Sequence, residues 1–403
     1  MRIIDAYRAV DDHVAELPFS TEEYDRRRAA VRSAMEAAGI DVLVLSDATN
    51  VTYLTGYDTA MPSAWAVLVL PLEGEPLLHC TELEVTCMLY RGSVKNIETY
   101  RWFEPGDEAT QLAGVLAEHG LLGGTVGVEL SRADTFSIGA LDAKTYLTLS
   151  AAVDGTELVD ATPLMLSVRS VKSDAEIECM RKAGQYTGAG LSAGLAAIAG
   201  AASDNEIYAA ICKGLADAGS EAPSIAPILM TGERTGWLPH QAYGRFPMRD
   251  GDGVYMEITG THNRYGAPSM RTGVRGKASD DQKRLAEASI AAVELLLETI
   301  EPGRTGDEIA RVVEPTKAAV PEATSGGAFG YSIGLGHMPT WTEAPVYLAP
   351  GDHTELRAGM TFHLPNGRWI PGRCGAGFSE SILVTEDGCE CLTPNKDLFL
   401  TVH

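Results

Sequence analysis

Short apolar runs bounded by turn residues alternate with amphipathic stretches through the first ~160 residues. DVLVLS (41–46), WAVLVLP (65–71) and GTVGVEL (124–130) are Val/Leu runs of strand length, and the periodicity of about 21–38 predicts a helix that Gly39 ends. This alternation predicts an α/β domain with a mixed sheet. After VDATPLMLSVRSVKS the pattern changes. A long helical period covers about 173–198, further helices are expected at about 203–218 and 280–300, and strand candidates lie at 252–263, 359–365 and 379–388. Helices on an antiparallel sheet, an α+β domain, are expected here. Ser20-x-x-Glu23, Ser203-x-x-Glu206 and Thr305-x-x-Glu308 have the spacing of capping boxes, each ahead of an amphipathic run. The expected division is 1–165 and 166–403. No repeat and no low-complexity segment is visible.

The length of 403 residues suits two domains, and 45% hydrophobic residues suffice for a core. Lys+Arg 32 against Asp+Glu 55 leaves a net charge of −23. No basic footprint for nucleic acid exists in such a balance. No window approaches the ~18 uninterrupted apolar residues of a membrane span, and MRIIDAYRAVDDH is unlike a signal peptide. A cytoplasmic protein with small-molecule partners is expected, without nucleic acid or membrane. The seven cysteines are an odd, scattered set, which predicts free thiols. Cys389 and Cys391 read as two side chains on one face of a strand, since no His or second Cys pair lies nearby to complete a metal site.

Polar groups inside apolar strand runs are the informative ones, because an unpaired buried charge costs several kcal/mol. Glu257 in VYMEITG is one, on the same strand face as Tyr255; His363 in GMTFHLP and Glu380 in FSESILV are others. Each reads alternatively as an ordinary sheet residue, facing solvent or hydrogen-bonded. His240, in the Pro- and aromatic-rich GWLPHQAYGRFP, has the residue type and loop setting of a proton shuttle. His337 lies in IGLGHMPTW, where a Gly-rich turn meets Trp341 and Glu343, a substrate-lining loop or simply a tight turn. Neither GLGH nor SGGAFG has dinucleotide or Walker spacing, and G-x-S-x-G and H-E-x-x-H are absent.

Arg169, Lys172, Ser173, Glu176 and Ile177 in VRSVKSDAEI, followed by Met180, Arg181 and Ala183, resemble the interdomain hallmark of the creatinase/aminopeptidase P/prolidase family. DATNVTYLTGYD (47–58) resembles that family's N-domain signature, and the C-terminal strands follow in matching order. The resemblance implies an α/β N-terminal domain and an α+β C-terminal domain of the pita-bread fold. The metallopeptidases of this family hold two metal ions with two Asp, one His and two Glu. The matching positions here are Glu257, Pro268, Tyr331, Pro365 and Ser379. One carboxylate out of five does not assemble a dinuclear site.

Metal-free members of the family hydrolyse a C–N bond of an amidine or guanidine with a His and a Glu. Among these metal-free members the chain resembles the ectoine hydrolase branch, through PHQAY, RFPM, MEITG, SMRTG, IGLGHMPTWTE and SESIL. That likeness implies catalytic Glu257, His240, Glu380 and His363. Trp341, Tyr331, Glu343, Arg271 and His337 would line the substrate, with Arg271 either meeting its carboxylate or serving the fold. It implies no metal and no cofactor, a zwitterionic amidine as substrate, and a homodimer in which one subunit's N-domain closes the other's pocket. Local departures at His337, MPTW and HLPNGRW border that pocket. The expected activity is ring-opening of ectoine to N-acetyl-2,4-diaminobutyrate. Creatinase-like cleavage of a guanidine and a non-catalytic binding protein are the alternatives.

Overall fold

The computed structural model describes residues 4–5, 15–100, 107–131, 141–393 and 401–402; apart from Ile4 and Asp5, the stretch MRIIDAYRAVDDH lies outside them. The chain divides into two compact units, Met1–Arg169 and Ser170–His403. No helix among the described residues is long and apolar enough to cross a membrane.

In the first unit, β1 (Val42–Leu45), β2 (Ala66–Pro71), β3 (Leu77–Thr81), β4 (Ile97–Tyr100), β5 (Thr125–Val128) and β6 (Glu157–Asp160) form a sheet in the order β4-β3-β2-β1-β5-β6. β1 is antiparallel to β2 and parallel to β5, so the sheet is mixed. Every residue of β1 is buried, which is why its sequence is a continuous VLVL rather than an alternation. Val42, Val44 and Val126 pack with Leu112, Leu116 and Leu149 of the helices Glu108–Glu118 and Ala143–Ala152. The helix Thr162–Arg169 belongs to this unit, where Arg169 donates to Asn50 Oδ1 at 2.8 Å.

Two sheets organise the second unit. One has the order β17-β9-β8-β7, from β7 (Ile228–Thr231), β8 (Gly253–His262), β9 (Tyr265–Val274) and β17 (Thr401–Val402). β8 and β9 form a hairpin paired from Gly253↔Val274 to His262↔Tyr265. Its turn residues Asn263 and Arg264 both have positive φ, 48° and 66°, the handedness that suits a tight hairpin. The Glu221 carboxylate accepts both of their amides and holds the turn. Leu191, Leu195, Ile207 and Ile211, from helices Asp174–Ala197 and Asp204–Asp217, cover Val254, Met256 and Ile258 of β8.

The other sheet has the order β11-β10-β12-β15-β16, from β10 (Gly330–Ile333), β11 (Thr342–Leu348), β12 (Thr361–His363), β15 (Ser381–Val384) and β16 (Cys389–Cys391). Its core face meets the helices Asp280–Thr299 and Gly306–Val313 through Leu296, Ile309, Phe362 and Ile382. A two-stranded ribbon, β13 (Asn366–Ile370) with β14 (Cys374–Phe378), completes the unit. The strand expected over 359–365 is held to Thr361–His363, since Pro365 has no amide to continue the ladder. Cys389 and Cys391, at alternate positions of β16, both pack on the helix-backed core, and all seven cysteines are free.

The capping chemistry differs from expectation in places. Thr305 and Glu308 form the reciprocal box, whereas Ser20 caps alone because the Glu23 carboxylate is engaged by Arg26 and Arg27. Ser203 makes no cap: its Oγ donates to Asn205, and Glu206 accepts from Ala202 N. Two further boxes, Ser173 with Glu176 and Ser279 with Gln282, start the long helices.

Candidate active site

β8 carries Glu257 into the interior, where it is 4% exposed. Its partner among the described residues is Tyr255, whose hydroxyl donates to Glu257 Oε2 at 2.8 Å. Alternate strand positions share a face, so the pair follows from the sequence spacing alone. Loss of hydration pushes the Glu257 carboxyl up to about 7, against the opposing pull of the Tyr255 hydrogen bond. Burial and the adjacent carboxylate hold the Tyr255 hydroxyl well above the usual phenol value, so it stays a donor. A side chain at Gly377 would collide with the Tyr255 ring; the glycine of β14 makes room for it.

A second group lies on β10, β12 and the segment before β15. His363 is fully buried, with Nδ1 2.8 Å from Tyr331 Oη and Nε2 2.6 Å from Ser379 Oγ. Trp341 Nε1 donates to Tyr331 Oη at 2.9 Å. Burial, helped by the positive charge of Arg271, lowers His363 to about 3. The imidazole is therefore neutral at physiological pH. In this setting His363 bridges Tyr331 and Ser379 through its two ring nitrogens. The two groups adjoin, because Glu257 pairs with Met270 across β8 and β9, and Met270 N donates to Ser379 Oγ at 2.7 Å.

Arg271 and Glu380 lie behind them as a buried pair, with Nη2 2.5 Å from Oε1. Arg271 Nη1 also reaches Ser269 Oγ, Met270 O and Ser379 O at 2.7–2.9 Å, and Thr393 Oγ1 donates to Glu380 Oε2 at 2.6 Å. Of the two roles open for Arg271, the structure supports the one in the fold: it ties β9 to the chain entering β15. Glu380 is likewise held by Arg271 and Thr393. Glu343 pairs with Lys172 Nζ at 2.5 Å, both buried, and a side chain at Gly334 would collide with each. Arg271, Glu380 and Glu343 are thus each held in a buried ion pair.

His337 is buried in the turn between β10 and β11, its carbonyl accepting from Thr340 N at 3.2 Å. His240 is exposed, at φ 81°, and does not bond Glu257. Its loop is anchored by the buried Asp204, which accepts from Gly244 N and Phe246 N at 3.0 and 2.9 Å. Sequence reasoning missed Ser379, Thr393 and Lys172 as parts of the site and its supports. Ser379 carried a signal, a hydroxyl between the buried Phe378 and Glu380.

The five positions matching the two-metal pattern do not fit that centre. Pro268 and Pro365 have no side-chain donor atoms. The Tyr331 oxygen is bonded by Trp341 and His363, and the Ser379 oxygen by Met270 N and His363. Among the described residues no group of three or more His, Cys, Asp or Glu is placed to hold a metal ion.

A two-unit chain with helix-backed sheets around a buried acid places the protein in a known class. Residues 178–386 match metallopeptidase family M24, and residues 27–171 match the Creatinase/Prolidase N-terminal domain. The chain belongs to this family and has its pita-bread architecture. Among individual relatives, the ectoine hydrolase of Halomonas elongata is 33% identical over 394 residues, which is 93% of this chain and 96% of the relative. The probable dipeptidase PepE of Mycobacterium tuberculosis is 27% identical over 92% of this chain and 94% of its own. The Xaa-Pro dipeptidase structure from Bacillus anthracis superposes with a TM-score of 0.79 at 23% identity, covering 94% of this chain and all of that one. The protein is thus a hydrolase of the M24 family.

Proposed function

We propose that the protein opens the ring of ectoine, or of a close cyclic amidine, by hydrolysis without a metal ion, giving N-acetyl-2,4-diaminobutyrate. The observation that carries the reading is Glu257: a buried carboxyl poised at about 7 where the two-metal donor set is dismantled. The likeness to an ectoine hydrolase over nearly the whole chain supports the substrate. A peptidase reading has relatives too, but the metal chemistry of that class lacks its donors here.

The amidinium carbon of ectoine is electrophilic but delocalised, so water adds slowly unaided. Glu257, ionised, accepts the amidinium N–H groups and fixes the ring. His240, brought in from its loop, takes a proton from water as oxygen bonds the amidine carbon. The C–N bond then breaks as the same proton passes to the departing nitrogen, and the second proton of the added water leaves its oxygen as the C=O forms and ends on the released amine, giving an amide and an ammonium group. Tyr331, half-buried, offers its ring to the flat cation, with Trp341 behind it. The reading includes a homodimer and a cytoplasmic setting, which come from the resemblance and from composition respectively.

The test is to supply ectoine, creatine and an Xaa-Pro dipeptide in parallel and follow each by NMR. Ectoine is expected to be consumed with an N-acetyl product. Urea from creatine would move the assignment to a guanidine, and free proline would overturn it.

A further inference from the structure

Two residues of the His240 loop have backbone angles that side chains other than glycine rarely adopt, His240 at φ 81° and Arg245 at φ 65°. Such angles persist where surrounding contacts over-determine them. Burial does not impose them here, since both residues are exposed. Hydrogen bonds bracket each one instead. On either side of His240 the bonds run to Arg234: its carbonyl accepts from Trp237 N at 3.2 Å and Gln241 Nε2 at 3.4 Å, and its Nη2 donates to Ala242 O at 2.5 Å. On either side of Arg245 they run to Asp204, which accepts from Gly244 N at 3.0 Å and Phe246 N at 2.9 Å. Arg234 Nη1 lies 3.4 Å from Asp204 Oδ2, so an ion pair with a fully buried carboxylate joins the two brackets.

Both supports are fixed to the body of the second unit. Arg234 lies in the turn Gly232–Gly236, where Gly375 N donates to Thr235 Oγ1 at 3.2 Å and a side chain at Gly236 would collide with the backbone of Ile370 and Cys374. Asp204 opens the helix Asp204–Asp217, whose Tyr208, one turn on, stacks on Tyr243 with ring centroids 3.9 Å apart. The Arg234 guanidinium also covers the Phe246 ring at 3.9 Å.

We propose that Arg234 and Asp204 form a clasp that fixes the backbone of the His240 loop, and that both are positioning residues for the proton His240 moves from water to the departing nitrogen. The positioning role rests on the proposed amidine hydrolysis; the clasp does not. An imidazole that takes a proton from one atom and delivers it to another has to reach both, and a misplacement of about 1 Å costs on the order of 10²-fold in rate. A loop held from two sides by an ion pair meets this demand while its imidazole stays exposed to the incoming substrate.

The experiment has two arms. In the first, the folded protein is incubated with trypsin and the cut between Arg245 and Phe246 is timed by mass spectrometry, a readout that needs no substrate. Arg234→Ala is expected to speed that cut about 10-fold over wild type while the other tryptic sites keep their rates, because nicking follows local opening of the loop. Asp204→Asn fills the same space but has one acceptor oxygen for two amides; it is expected to act the same way and stands in should Arg234→Ala not fold. Unchanged nicking in either folded variant would overturn the clasp. In the kinetic arm, Arg234→Ala is expected to lower kcat on ectoine by about 10–10²-fold with KM within a few-fold. In a His240→Ala background the same change should cost less than about twofold, since residues that act through one group are not additive. An equal loss in both backgrounds would overturn the positioning role. A wild type that opens no ectoine ring would overturn the amidine reading and the positioning role with it, and the nicking arm would still decide the clasp.

Discussion

Tyr255 stands two residues before Glu257 on one face of β8 and donates its phenolic hydrogen to Glu257 Oε2 over 2.8 Å. This single donor offsets part of the desolvation of a buried carboxyl and leaves it near 7, balanced between its two protonation states at neutral pH. A carboxyl paired with an arginine, like Glu380 with Arg271, has its acceptor capacity taken up inside the protein.

Glu257→Gln is expected to reduce ectoine turnover by roughly 10²–10³-fold, the range for removing one preorganised electrostatic partner. It also tests burial. The folded protein keeps a Glu257 proton that the unfolded chain releases near 4.5, so this group's contribution is complete below that value and is lost as pH rises through about 7. At pH 8 the variant should be more stable than wild type by on the order of 1–3 kcal/mol, with the gain gone at pH 4. Urea denaturation at the two pH values reads this; a variant less stable at pH 8 would contradict it.

The same ionisation governs rate. The kcat/KM for ectoine should rise with pH through about 7, as free Glu257 becomes the carboxylate that grips the amidinium. A profile flat from pH 5.5 to 8.5 would remove Glu257 ionisation from the mechanism.

Lys172 and Glu343 are separated by 171 residues and meet as a buried pair. Removing one partner strands the other charge, at a cost of about 3–5 kcal/mol, whereas replacing both with apolar residues is far milder. Glu343→Ala should therefore unfold at markedly lower urea than Lys172→Met/Glu343→Leu. Equal midpoints would show that the pair is not what holds Glu343.

His240 lies on an exposed loop. His240→Ala is expected to lower kcat by about 10²–10³-fold while the protein still folds cooperatively in urea. An unchanged kcat would pass water activation to another group.

Much of the fold was legible because each element satisfies its own local rule. VLVL is buried on both faces and reads as a strand; the box at Thr305 begins a helix through contacts within one turn. The Ser203 box failed where non-local demand won, since its neighbour Asp204 is committed to amides some 40 residues on, in the His240 loop. The site divides along the same line. Glu257 stood out as an acid in an apolar strand, and its partner lies two residues away. The roles of Arg271 and Glu343 depend on partners 109 and 171 residues distant, which spacing does not reveal. His363 was visible as a polar intruder, but its neutrality depends on burial, and its partners Tyr331 and Ser379 come from β10 and from the segment before β15.

The most direct test of metal-free amidine hydrolysis at Glu257 is the rate of ectoine ring opening, followed by proton NMR, on protein freed of metal by prolonged EDTA treatment and checked for residual Mn, Zn, Fe and Co. The account predicts full activity in the stripped protein, unchanged by added Mn²⁺ or Zn²⁺. Activity lost on stripping and restored by either ion would contradict it.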